Sequence, residues 1–180
     1  MNINNKKILI GFIVIFVLGL NIYNIPLKGD DSDAFNQIES LETIDKPFDL
    51  DQFNVVVNKN SSDEIIVQNY KKIIVTFWAT WCPSCRRENL IFNKVSKTFK
   101  EDLLILAISV DKDPNALAVY LKETPLNFPS FYNNKEIAVM FDDILAVPTH
   151  YIIDVKSGKV RKTMGLMSEN EISDIMKEKL

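Results

Sequence analysis

The chain is poor in the residues that staple or loosen small proteins. It holds two cysteines and one histidine among 180 residues, so it can build neither a disulfide-dense scaffold nor an intrachain zinc site with four Cys/His ligands. Five glycines and seven prolines exclude a collagenous or low-complexity chain. No basic block is longer than two residues, and 21 Lys and Arg stand against 24 Asp and Glu for a net charge of -3. That balance disfavours nucleic acid or another polyanion as partner. What is present is a composition 47% hydrophobic and 25% charged, enough for one globular domain with a core and a short appendage. The two cysteines have to be explained as a pair.

The appendage comes first. Lys6 and Lys7 precede an uncharged run, Ile8 to Leu20, that continues through Ile25. As a helix, residues 8–25 would measure roughly 27 Å, close to the hydrocarbon thickness of a bilayer. The following Asn21-Ile22-Tyr23-Asn24-Ile25-Pro26 offers no small-residue cleavage site, so an uncleaved transmembrane anchor is expected ahead of a removed signal peptide, with a buried core helix as a third reading. The two lysines place residues 1–7 in the cytoplasm and everything after Pro26 outside. The expected location is therefore the cell membrane, crossed once, with the folded domain on the extracytoplasmic side. Residues 26–47 are polar and acidic, with Asp30, Asp31 and Asp33 together and one weak helical run at Phe35, Ile38 and Leu41; they read as a linker. Residues 48–180 read as one domain.

Within that domain, Phe53 to Val57 and Glu64 to Val67 are β-rich runs separated by the polar Asn58-Lys59-Asn60-Ser61-Ser62, which predicts an N-terminal β-hairpin. Ile73 to Phe77 is a continuous apolar run of the kind buried on both faces of a sheet. Pro83 suits the first position of a helix whose stripe is Ile91, Phe92, Val95 and Phe99. Leu103 to Val110 repeats the buried-strand pattern and completes a β-α-β unit. Asp113 and Pro114 open a second helix, Asn133 to Phe141 fits a third, and Ser168 caps the last. Pro148 to Asp154 and Lys159 to Met164, joined through Lys156-Ser157-Gly158, read as an antiparallel pair. The sum is an α/β three-layer sandwich, a mixed central sheet flanked by helices.

Chemistry is concentrated where the Ile73 to Phe77 strand meets its helix, in Trp78-Ala79-Thr80-Trp81-Cys82-Pro83-Ser84-Cys85. Cys82 falls at the helix N-terminus, where free backbone N–H groups and the positive end of the helix dipole favour thiolate over thiol. It is the expected nucleophile. Cys85, one turn further in, is within disulfide reach and suits a resolving thiol. A c-type haem site would need His after the second cysteine, but residue 86 is Arg. A purely structural disulfide closing so short a loop would constrain the unfolded chain little. Glu88, three residues after Cys85 on the same helical face, is placed to exchange a proton with that thiol, unless it is simply a solvated surface residue. Trp81 adjoins the nucleophile, whereas Trp78 reads as core. His150 shares a strand face with Pro148 and Ile152, which could bring it near Cys82 as a metal or proton partner, or leave it merely half-buried. Arg86 and Arg87 either favour the thiolate and guide an acidic partner or are solvated helix charges.

The run from Phe77 to Glu88 resembles the active-site segment of the TlpA/ResA-like membrane-anchored thioredoxin-fold proteins. Asn127-Phe128-Pro129, Val147-Pro148-Thr149, Asp154 to Gly158 and the Met167-Ser168-Glu169 helix start follow in the family's order. The resemblance implies a thioredoxin-like fold, a cis Pro148 facing the cysteines, and a Val147 backbone that offers substrate a strand-like edge. It also implies a buried acid at Glu88. Trp81, Pro83, Val147 and Pro148 are the expected substrate-contacting set, with Cys82 and Cys85 as the redox disulfide and no cofactor. The sequence departs from the family at Pro83-Ser84 between the cysteines, at Ala146, at Leu90 and at His150, where a second Thr is common.

The expected activity is thus thiol-disulfide exchange by a membrane-tethered oxidoreductase: Cys82 attacks a partner's disulfide and Cys85 resolves the mixed disulfide. The resemblance implies reduction of exported proteins such as apocytochrome c, with an integral membrane thiol carrier as electron donor. The alternatives are an oxidase that donates its disulfide to secreted proteins, a copper-binding assembly factor using Cys82, Cys85 and His150, and a redox-silent binding module.

Overall fold

The computed structural model describes residues 43–44 and 48–178. The expected anchor at residues 8–25, the helical run at Phe35 to Leu41 and most of the linker lie outside them. Among the described residues no helix is long and apolar enough to cross a membrane.

Two strands set the frame. β2 (Lys72–Trp78) and β3 (Leu103–Ser109) are buried at every position and pair in parallel, which is what their unbroken apolar runs require. The remaining strands are shorter: β1 (Thr43–Ile44), β4 (Ser130–Tyr132), β5 (Thr149–Asp154) and β6 (Val160–Met164) complete a sheet in the order β1-β6-β5-β2-β3-β4, with β1 and β4 at its edges. β5 runs antiparallel to β2, with Thr76 opposite His150, and to β6, with His150 opposite Thr163. β3 and β4 are parallel. β4 was not anticipated, because three residues after Pro129 are too short to show a period.

Helices cover both faces. α1 (Leu50–Asn60) packs Phe53, Val56 and Val57 against Val75, Phe77, Leu106 and Tyr151 on one side. On the other, α2 (Pro83–Thr98), α3 (Pro114–Glu123) and α5 (Glu169–Lys177) bring Phe92, Val95, Leu117, Ile172 and Ile175 onto Ile74, Ile105 and Ile152. The short α4 (Lys135–Ala138) lies within the expected third helix. The caps fall where the sequence placed them: the Asp113 side chain accepts from the Asn115 N–H, and Ser168 with Glu171 forms a reciprocal capping box.

The predicted N-terminal hairpin is overturned. Phe53 to Val57 lie inside α1, where Phe53, Val56 and Val57 are buried while Val55 is exposed. That is the i, i+3, i+4 pattern of a helix lying on a sheet, and such packing overrides the strand preference of three successive valines. Asp49 starts the helix by accepting the Gln52 N–H at 2.8 Å. The partner segment, 64–67, does not join the sheet, and side chains of α1 satisfy its backbone. The Asn58 amide donates to the Ile65 carbonyl and accepts the Ile65 N–H, at 2.6 and 2.7 Å, while Asn54 Oδ1 accepts the Val67 N–H.

One ion pair ties the central strand to the β5–β6 turn. Lys72 Nζ lies 2.8 Å from Asp154 Oδ2, both side chains largely out of water, and Asp154 Oδ1 also accepts the Ser157 N–H. Burial pushes the Asp154 carboxyl up, but the hydrogen bonds from Lys72 and Ser157 outweigh it and hold the group below its usual 3.8. A lowered folded-state pKa stabilises the fold above the unfolded value, and that stabilisation is lost as pH falls through the lowered one. Urea unfolding of Lys72→Ala at neutral pH is expected to show a loss of about 3 kcal/mol, because it leaves a buried carboxylate unpaired. In an acid titration of the urea midpoint, Asp154→Asn should show a shallower decline than the parent.

Candidate active site

The chain leaves β2 at Trp78, crosses Ala79 to Trp81 and enters α2 at Cys82, so the sheet's best-buried strand aims the first cysteine. Cys82 is the N-cap of α2 and Pro83 its first residue. Its sulfur accepts the Cys85 N–H at 3.2 Å and has Ser84 Oγ at 3.3 Å. These donors stabilise negative charge on that sulfur once the disulfide opens. A disulfide joins Cys82 and Cys85 across a Cα separation of 5.3 Å. Cys82 is less exposed than its cap position suggested, at 4%, with Cys85 at 1%; the rim of neighbouring residues covers both, and Cys82 is the one nearer to solvent.

The loop before Cys82 is held by a residue that the sequence did not single out. Asp111 follows β3, whose Ser109 is in register with Trp78. Its buried carboxylate accepts the Thr80 N–H at 3.0 Å, the Thr80 hydroxyl at 2.8 Å and the Ser109 hydroxyl at 2.6 Å. An acid just past the carboxyl end of the neighbouring parallel strand was the available signal. With Thr80 fixed, Trp81 is turned outward and is 67% exposed, so its indole is free to meet a partner. Trp78 is fully buried against Tyr120, as core.

The second wall comes from β5. The Val147–Pro148 peptide is cis, and the Val147 carbonyl oxygen lies 3.8 Å from Cys82 Sγ. Of the expected substrate-contacting set, Pro83, Val147 and Pro148 therefore lie around the Cys82 sulfur, with Trp81 exposed beside it. On the outer side Pro83, Arg86, Arg87, Leu90, Tyr120 and Thr124 line an open groove of about 620 Å³, and Arg86 leans over the Tyr120 ring.

Glu88 is not a solvated surface residue. It lies on the buried face of α2, 1% exposed, with Oε1 accepting the Met167 N–H at 2.7 Å. His150 is fully buried, and its Nε2 is 3.2 Å from Glu88 Oε1 and 2.9 Å from the Gly165 carbonyl. The histidine thus belongs with Glu88. Among the described residues no group of three or more His, Cys, Asp or Glu side chains is gathered for a metal, so the copper reading is left without an assembled Cys82, Cys85, His150 ligand set.

Asp111→Ala removes three hydrogen bonds to a buried carboxylate and leaves the Thr80 N–H without its acceptor. Equilibrium unfolding should register a loss of about 3 kcal/mol, and the rate at which reduced protein reacts with a small disulfide should fall with it.

Comparison with known proteins places this arrangement. Residues 46–163 match the AhpC/TSA family. The chain is 30% identical over 105 residues to the thioredoxin-like protein YneN of Bacillus subtilis strain 168, a match covering 57% of this chain and 61% of YneN. It is 26% identical over 167 residues to the thiol-disulfide oxidoreductase ResA of the same bacterium, covering 91% of this chain and 86% of ResA. Among solved structures, a thiol:disulfide interchange protein of the thioredoxin family from Chlorobium tepidum TLS superposes with a TM-score of 0.56 at 28% identity, over 61% of this chain and 80% of that one. StoA from Bacillus subtilis superposes with a TM-score of 0.54 at 20% identity, over 63% and 88%, a likeness of fold. With two thirds of its length inside the matched region, the chain belongs to the thioredoxin-like AhpC/TSA family and is a thiol-disulfide oxidoreductase.

Proposed function

We propose that this oxidoreductase works outside the cytoplasm, tethered by residues 8–25, and that it reduces disulfides of exported proteins, apocytochrome c among them. The observation that carries the reading is the meeting of two groups: a sulfur held at a helix N-terminus, and a Val147 carbonyl 3.8 Å from it, just ahead of β5. A substrate peptide pairing with that backbone brings its own disulfide onto Cys82.

The exchange then runs in two steps. The Cys82 thiolate attacks one substrate sulfur, forming a mixed disulfide and expelling the other sulfur as a thiolate that takes up a proton. The Cys85 thiol gives its proton to Glu88 and attacks Cys82 Sγ; the Cys82–Cys85 bond forms, and the second substrate sulfur leaves with the bonding electrons. Two electrons have passed to the substrate. An integral membrane thiol carrier returns the pair to the dithiol, a supply that an oxidising compartment makes necessary. The thiol-disulfide oxidoreductase ResA, similar over nearly the whole chain, supports the exchange chemistry, and the resemblance of Phe77 to Glu88 to the TlpA/ResA-like segment favours this direction. The Pro83-Ser84 dipeptide, unusual for that family, keeps the oxidase reading as the second candidate.

Trapping decides between them. Full-length Cys85→Ala protein, expressed in its own cell type and acid-quenched, should carry apocytochrome c or another exported protein on Cys82, and Cys82→Ser should carry none. Equilibration with glutathione should give a reduction potential at or below about -270 mV, the thioredoxin value, whereas one near about -120 mV, as in the strongest oxidants, would replace reductase by oxidase.

A further inference from the structure

The one histidine is the group that the exchange mechanism leaves unused. His150 is on β5, opposite Thr76 of β2 and Thr163 of β6, with its ring at 0% exposure. Nε2 lies between two oxygens, Gly165 O at 2.9 Å and Glu88 Oε1 at 3.2 Å. A backbone carbonyl can only accept, so Nε2 must carry hydrogen and donate. That hydrogen goes to the Gly165 carbonyl, so Glu88 Oε1 receives the Met167 N–H and has Nε2 3.2 Å away. Nδ1 is buried without a partner, and so is the Thr76 hydroxyl on the paired strand.

The surroundings narrow what His150 can answer to. From α2 it meets Glu88 and the Phe92 ring, 6.0 Å away edge-on. β2 and β6 present Thr76 and Thr163, which do not titrate. α5 contributes Ile172 and Ile175 to this side of the core. Glu171, Asp174, Glu178 and Arg161 line a surface hollow beyond Thr163, and the segment between β6 and α5 offers the Gly165 carbonyl and the Met167 N–H. Among the described residues, Glu88 is therefore the one ionisable side chain within ion-pair distance of the ring.

We propose that His150 is a positioning residue for the resolving step: its Nε2–H fixes the Gly165 carbonyl and so the segment whose Met167 N–H holds Glu88 in the orientation that accepts the Cys85 proton. The inference rests on the assignment of Cys85 as the resolving sulfur. A buried carboxylate needs donors to remain charged, and the helix supplies none to Glu88 Oε1. The segment after β6 supplies one, and His150 of β5 holds that segment in place. When Cys85 attacks the mixed disulfide, its proton moves to Glu88 while the histidine keeps its own. No other group changes protonation, and the electron pair leaves with the substrate sulfur.

Reaction of the reduced full-length protein with an excess of an aryl disulfide that releases a coloured thiolate separates the two steps, since the first release reports Cys82 attack and the second Cys85 resolution. In His150→Leu the second release should slow about tenfold at neutral pH, the effect of losing the hydrogen bond that fixes the Gly165 carbonyl, while the first keeps its rate. The acid limb of the second rate should also move to higher pH. His150→Gln retains a side-chain N–H and should recover most of the rate; His150→Thr, too short to reach the Gly165 carbonyl, should behave like Leu and serves if the Leu variant fails to fold. Unaltered second-release rates and pH profiles in Leu and Thr would overturn the role of His150 and leave the redox assignment standing. Loss of both releases in the unsubstituted protein would overturn the redox assignment itself.

Discussion

The structure turns on a sulfur placed where a helix begins. An N-cap side chain ordinarily brings an oxygen to the free backbone donors of the first turn; here Cys82 Sγ takes that place and accepts the Cys85 N–H. Everything nearby maintains this substitution. β2 is buried along its whole length and cannot shift without exposing apolar surface on both sides. Asp111 fixes the three-residue crossing from strand to helix, and Pro83 gives the first turn its backbone angle without wasting a donor. The reactivity is thus a property of backbone geometry enforced from the core.

The two cysteines have unequal surroundings, and that inequality gives the site a direction. Cys82 meets the loops and the Val147 carbonyl ahead of β5. Cys85 faces inward on the same helix as Glu88, which receives the Met167 N–H and has the His150 ring beside it. The acid therefore depends on elements distant in sequence: β5 contributes a histidine, and the segment between β6 and α5 contributes a backbone amide. The order of the sheet brings these together, because β5 lies directly beside β2.

Much of this was legible before the structure. β2 and β3 announce themselves as unbroken apolar runs, Pro83 and Pro114 mark first helical turns, Ser168 marks a cap, and two cysteines behind a buried strand point to exchange chemistry. What stayed hidden shares one physical cause, dependence on partners far along the chain. Val55-Val56-Val57 favour a strand locally and become helix because one face of α1 lies on the sheet. Residues 64–67 have a strand's composition, but their backbone is bonded by the side chains of Asn54 and Asn58 instead of by a neighbouring strand. Asp111 and His150 acquire meaning only through register, which no local period reveals.

The short edge strand has a consequence for how copies of the protein behave together. β1 covers β6 only at Val160 and Arg161, and among the described residues the stretch from Lys162 to Met164 has no outer neighbour. A bare edge of this sort invites a strand from another molecule. Lys162 and Arg161 face that approach, each paired with an acid, Asp142 or Glu178, across the surface. Such charges discourage self-association along an edge that runs toward the cysteines, since Met164 is in register with Thr149, next to Pro148.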